Sequence, residues 1–137
     1  MENINIDQFH NIEMKVGTIL VAEYIPGADK LLRLEVDFGP KLSLGKTDVL
    51  ENDLALQPLP EKAPGEDRDI RQILSGIRQY YQPEDLVGKQ CPFITNLEPR
   101  VMRGLESHGM ILAVGGADGS AILLHPDKLV PPGSKLR

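Results

Sequence analysis

The chain has 137 residues, a formal net charge of −5 and an apolar fraction of 41%, with three Phe, three Tyr and no Trp. That length suits one domain around one core, and the apolar fraction excludes a disordered chain. The acidic balance excludes nucleic-acid binding over the whole surface, and the scarcity of rings leaves the core to Leu, Ile and Val.

Asn5-Ile6-Asp7-Gln8 predicts a helix start, with Asn5 as cap and Gln8 reaching back to close a capping box. The helix is short, because Met14 to Tyr24 reads as extended. Gly17 inside that strand predicts a bend or bulge, and Pro26-Gly27 turns the chain. In Leu32 to Phe38, the apolar residues Leu32, Leu34, Val36 and Phe38 alternate with Arg33, Glu35 and Asp37, so one face is core and the other charged. Gly39-Pro40 ends this strand.

Residues 40–69 change character. Pro40, Pro58, Pro60 and Pro64 accompany several acids and two apolar patches, Leu42–Leu44 and Leu54–Leu59. About thirty residues is long for a strand connection. The segment reads as an acidic insertion, either ordered or a mobile flap, packed before Pro58 and solvated from Pro60 to Asp69. Ile70 to Ile77 is the next strand, running into Gly76. Gln82, Pro83-Glu84-Asp85-Leu86 and Gly88 predict one helical turn and its close. Gln90 to Thr95 and Gly109 to Val114 follow as strands, Gly115 to Gly119 as a hairpin turn, and Ala121 to Leu124 as a last short strand. His125 to Arg137 is a Pro-rich tail.

Five or six short strands with one helical turn between the third and fourth predict an all-β protein. The fitting architecture is a five-stranded oligonucleotide-binding (OB) Greek-key barrel with a short flanking helix and a C-terminal extension. A sandwich of this size needs more strands. The lone thiol, Cys91, has no internal partner, favours a reducing compartment and reads as a small buried hydrophobe. Glu2 and Asp7, without a basic or hydrophobic segment, predict no signal peptide. No stretch reaches the roughly 20 apolar residues of a membrane span. The expected home is the cytoplasm.

Charge is unevenly distributed. Residues 1–39 carry −4, residues 40–69 carry −3, and residues 70–137 carry +2. Affinity for a polyanion must therefore come from the C-terminal half and depend on salt. The informative stretch there is Asn96 to Met110, N-L-E-P-R-V-M-R-G-L-E-S-H-G-M. Its Pro-broken, Arg-bearing loop sets Arg100 and Arg103 near Asn96, Ser107 and Met110. That combination suits sugar, phosphate and unstacked bases. The alternatives stay open: the two arginines as solvated charges paired with Glu98 or Glu106, Asn96 as a binder of turn backbone, and Met110 as core. Lys30, in the turn before the second strand, either neutralises Asp29 or meets RNA. Arg78, near Tyr80 and Tyr81, mixes charge with rings that can stack; the same tyrosines can instead cover the helical turn.

Family resemblance enters through short segments in a fixed order. They are Ile6-Asp7-x-Phe9, Val16-Gly17, Ala28-Asp29-Lys30-Leu31, Val36-Asp37-x-Gly39, Ser75-Gly76-Ile77 and Pro83-Glu84-x-Leu86-x-Gly88. After them come Asn96-Leu97-x-Pro99-Arg100-x-x-x-Gly104-x-x-Ser107-x-Gly109-Met110 and Pro131-Pro132-Gly133-Ser134. The chain resembles the tRNA-binding domain family: the C-terminal domain or beta chain of bacterial methionyl-tRNA synthetase and stand-alone dimeric tRNA-binding proteins. The resemblance spans nearly everything outside residues 40–69. It implies an OB barrel whose extensions pair two subunits, recognition of tRNA by shape at the outer corner of the L, and no catalysis. Carried over by position, it implies that Lys30, Asn96, Arg100, Arg103, Ser107 and Met110 contact RNA. The chain departs from the family at Glu98 and Val101, where basic residues are usual, and in the acidic insertion. Those changes reduce counterion release and predict an affinity weak for the family.

The predicted function is structure-specific, sequence-independent tRNA binding by one domain, residues 1–137, acting alone or beside an aminoacyl-tRNA synthetase catalytic subunit. The alternative is a protein-binding, chaperone-like dimer of the same fold. No Gly-rich phosphate loop, nucleophile elbow or carboxylate–histidine cluster suggests an enzyme. His10, His108 and His125 have no second ligand at metal spacing. No catalytic residue, metal or cofactor is predicted.

Overall fold

The amide of Gln8 donates to Asn5 Oδ1, and the amide of Asn5 donates to Gln8 Oε1, both at 2.8 Å. This capping box closes the single turn α1, Ile6–Phe9. The computed structural model describes residues 1–41 and 67–137. Within them the strands are β1 Met14–Tyr24, β2 Leu32–Pro40, β3 Arg68–Ser75, β4 Gln90–Ile94, β5 Arg100–Met102, β6 Leu105–Ser107, β7 Met110–Ile111, β8 Ala113–Gly115 and β9 Ala121–Leu123. A 3-10 turn, Pro83–Asp85, separates β3 from β4, with Pro83 at its start and Gly88 at φ 90° after it.

Five strands form one antiparallel sheet in the order β3-β2-β1-β4-β7. It curls until the outer edge of β3 meets the chain between β6 and β7. There His108 N donates to Gln72 O at 2.9 Å and Leu74 N donates to Ser107 Oγ at 3.0 Å. This strongly curled five-stranded sheet is the OB-like barrel fold that the strand pattern predicts. Its core holds Ile19, Leu32, Leu34, Val36, Ile73, Leu86 and Phe93, all fully buried, with Leu123 of β9 against one end. Phe38 meets Phe93 edge-on at 5.4 Å between centroids. Cys91 is fully buried among them.

Several local expectations need correction. The bulge in β1 falls between Ile19 and Val21, not at Gly17. Gly17 is there for room: a Cβ on it would collide with Val36 Cγ1 and lie 2.7 Å from Phe38 Cε1. The charged face of β2 is less open than alternation suggests, because Asp37 is buried, accepting from Gly39 N and from the Arg68 guanidinium. Burial of a carboxylate demands such partners. Arg33 on the same face donates to Glu23, Glu35 and Gln72, and its hydrogen bond to Glu35 is the first of several causes that raise its pKa. The strand expected over Gly109 to Val114 is divided. Met110–Ile111 extends the barrel, whereas Ala113–Gly115 pairs with β9 in a separate hairpin.

The insertion's expected packing before Pro58 and solvation from Pro60 onward fall almost wholly outside the described residues. Its far boundary is earlier than 69, because Arg68 and Asp69 already belong to β3. Lys41 N donates to Asp67 O, so the chain leaves and re-enters the β2–β3 edge at adjacent points. The C-terminal tail is tied down rather than loose. Gly133 N donates to Val16 O, Val16 N to Ser134 O and Leu136 N to Met14 O. The tail thus takes over the edge of β1 where β2 departs. Gly39 and Gly133 permit this. Both have φ near +90°, and a Cβ on either would strike the other segment's backbone.

Candidate nucleic-acid interface

The Arg-bearing loop is a hairpin. Arg100 pairs with Ser107, Val101 with Glu106 and Met102 with Leu105. Its two-residue turn is Arg103-Gly104, with φ of 54° and 77°. Two successive positive φ values define the primed turn that matches strand twist. Asn-Gly usually occupies such turns, and a bulky residue at positive φ is an outlier. The strain places Arg103 at the tip of the hairpin.

One face of the hairpin carries Met102 and Leu105, which pack on a small second core of Ile25, Ala28 and Leu74 with Leu31. This cluster ties the β5–β6 hairpin to the β1–β2 turn, which bears Lys30. Two loops that meet polymers in OB folds are thereby held as one surface. At its base, Arg71 Nη1 donates to Thr95 O at 2.7 Å and to His108 O at 3.1 Å, while Asp69 holds the rest of the guanidinium. Arg71 thus pins both flanks of the Asn96–Met110 stretch. Gln72 adds a bond to Glu106 O at 2.7 Å. Neither residue stands out in the sequence, where they are two polar positions in a strand.

The predicted site residues fall into two groups. Arg100 and Arg103 are exposed, and among the described residues neither is paired with a carboxylate. Glu106 instead faces His108 at 3.2 Å. Lys30 is exposed, and its carbonyl accepts from Arg78 N. Met110, expected to be core unless it faced outward, is 45% exposed and pairs with Ile94.

Asn96 and Ser107 are different. The Asn96 amide is used at both ends: Oδ1 accepts from Glu13 N at 2.9 Å and Nδ2 donates to Asn11 O at 2.7 Å. Ser107 is 4% exposed; its hydroxyl accepts from Leu74 N and donates to Gly109 O at 3.1 Å. Both side chains build the rim: the Ser107 hydroxyl is buried in its two bonds, and the exposed Asn96 amide spends one donor and one acceptor on backbone. Arg78 also has a different partner from those expected. Its guanidinium lies 4.5 Å from the centroid of Tyr24. Tyr80 donates to Gly119 O and Tyr81 accepts from Leu123 N, so both tyrosines hold the β8–β9 hairpin.

A groove of about 290 Å³ lined by Gly88, Lys89, Gln90, His125, Pro126 and Leu129 contains none of the candidate residues. His125 Nδ1 sits 2.7 Å from Gln90 O and 3.7 Å from Cys91 Sγ. Burial pushes the Cys91 thiol up to about 11, opposite to what a nucleophile needs. Among the described residues no group of three His, Cys, Asp or Glu side chains converges, and no helix is long and apolar enough to cross a membrane.

A family model described as "Putative tRNA binding domain" matches residues 64–135. The chain is 39% identical over 136 residues to a methionine–tRNA ligase of Parabacteroides distasonis, covering 99% of this chain and 16% of the ligase. It is 42% identical over 134 residues to that of Methanothrix thermoacetophila, covering 98% and 16%. The chain therefore spans about one sixth of the length of these curated relatives. A solved MetRS-related protein from Pyrococcus horikoshii superposes with a TM-score of 0.75 at 31% identity, covering all of both chains. The chaperone CsaA of Bacillus anthracis gives 0.72 at 25%, covering 99% of this chain and all of that one.

Proposed function

The chain belongs to the tRNA binding domain family, and from that membership we propose that it binds folded tRNA by backbone charge and shape. One observation carries the proposal: Arg100 and Arg103 stand exposed, without carboxylate partners among the described residues, on a hairpin clamped to an OB barrel. Exposed cations left unpaired on the rim of an otherwise acidic protein offer a polyanion a place to land. Lys30 and Arg78 extend the rim along the β1–β2 turn, and Met110 supplies a soft thioether beside it. Such contacts follow phosphate and sugar positions and do not read a base sequence.

The domain comprises residues 1–137 with the acidic insertion on its β2–β3 edge, and its role is non-catalytic. It gives tRNA a second attachment point beside a synthetase catalytic subunit in the cytoplasm, raising the local concentration of substrate. A second copy of the chain pairs through α1 and the tail. Supporting this, Ile4, Ile6, Ile12 and Leu129 are exposed on those segments, a waste of apolar area unless covered. Light scattering should give twice the chain mass; a monomer at high concentration rejects the pairing.

Filter binding of bulk tRNA at several salt concentrations tests the central reading. Arg100→Ala and Arg103→Ala should each flatten the log–log salt slope by about 0.8 and weaken all isoacceptors alike. If the parent chain forms no complex even at low salt, tRNA binding is wrong; retention of peptide clients would then point to the chaperone-like dimer.

A further inference from the structure

Tyr24 has no role in the fold's core, yet the structure prepares it. It is the last residue of β1 and is 50% exposed, although rings are scarce in this chain. The guanidinium of Arg78 lies 4.5 Å from its ring centroid, well within cation–π range. Arg78 is itself fixed, with Nη1 donating to Ala28 O at 2.6 Å and its backbone N–H to Lys30 O at 3.3 Å. With a guanidinium over one face of its ring, a residue that is still half-exposed presents its other side to solvent. Ala28 belongs to the small core shared with Met102 and Leu105, so the stacked pair is continuous with the hairpin that carries Arg103.

We propose that the open face of Tyr24, backed by Arg78, is a stacking platform for a nucleobase of the bound RNA. This deepens the tRNA-binding reading and rests on it. A flat ring held from behind loses little conformational freedom on contact, and every base has a π-face, so the platform tolerates any sequence. It also gives the rim a component of affinity that does not depend on counterion release. A rim with few cations needs such a component to hold RNA at physiological salt.

The absence of tryptophan allows a direct test. Tyr24→Trp places the chain's single indole at the platform, and its emission should be quenched as bulk tRNA is titrated in. Tyr24→Leu should weaken bulk tRNA binding about 5- to 30-fold, leaving the salt slope unchanged because no charge is removed. Tyr24→Phe, which keeps the ring, should restore most of that loss. Unchanged Trp emission at saturating tRNA overturns the proposal, even if Tyr24→Leu binds weakly, because only an indirect role then remains. So does Tyr24→Leu binding within two-fold of the parent, whatever its melting temperature. In either case, an Arg100-dependent salt slope keeps the tRNA-binding reading standing. A parent chain with no tRNA complex removes both.

Discussion

Ser107→Ala separates a rim-building residue from a contact residue. The substitution removes an acceptor from Leu74 N at 3.0 Å and a donor to Gly109 O at 3.1 Å. Ser107 and Leu74 are 4% and 5% exposed, so water cannot replace the lost partner. An orphaned buried N–H costs about 1–3 kcal/mol, with about 2 kcal/mol a fair central value. For a chain of this size each kcal/mol moves the melting temperature by about 3–4 °C, so a fall of roughly 7 °C is expected. A thermal melt followed by circular dichroism reads it directly, with Arg100→Ala as a control that should stay within about 1 °C. In tRNA titrations well below the melt, Ser107→Ala should keep the parent salt slope, since it removes no charge. A variant that melts with the parent but loses about tenfold in affinity (about 1.4 kcal/mol) would refute this reasoning and make the hydroxyl an RNA contact.

Gly17→Ala should cost about 1–3 kcal/mol by overpacking against Val36 and Phe38, seen as a lower urea midpoint. Combining it with Val36→Ala should cost less than the two changes added, because the sites share one space. Asn96→Ala removes the bonds to Glu13 N and Asn11 O and should destabilise by about 1 kcal/mol; Asn96→Asp, which keeps the acceptor for Glu13 N, should recover part in the same melt. Cys91 should resist thiol reagents near neutral pH until urea opens the core. With its thiol raised from 9.0 to about 11, the unfolded chain sheds the proton first. The stabilising contribution is therefore complete below pH 9.0 and is lost as pH rises toward about 11. A urea midpoint that falls equally with pH in Cys91→Ala would show that other groups cause the loss.

The sequence by itself determined what depends on near neighbours and on period. The capping box at Asn5 and Gln8, the span of β1 from Met14 to Tyr24, the alternation in β2 and the Pro83 turn each draw on residues a few positions apart. Those signals sufficed for the barrel, and the ordered motif segments sufficed for the family. The Arg103-Gly104 turn was harder to see, because Arg is a poor residue for positive φ and hid the hairpin behind an apparent loop. Gly17 misled in another way: a glycine's permissive backbone and its missing Cβ leave the same letter, and only the approach of Val36 and Phe38 shows which was needed.

Tertiary structure alone decided which polar atoms are free. Asn96 and Ser107 carry the donor and acceptor groups that RNA contact requires. Their bonds go to Glu13 and Asn11, more than eighty residues away, and to Leu74, thirty-three residues away. Arg78 has two tyrosines beside it in the chain but stacks on a third from β1. Residue type limits what a side chain can do. Barrel closure, which brings β3 against the segment between β6 and β7, consumes some of that capacity and leaves the rest facing outward.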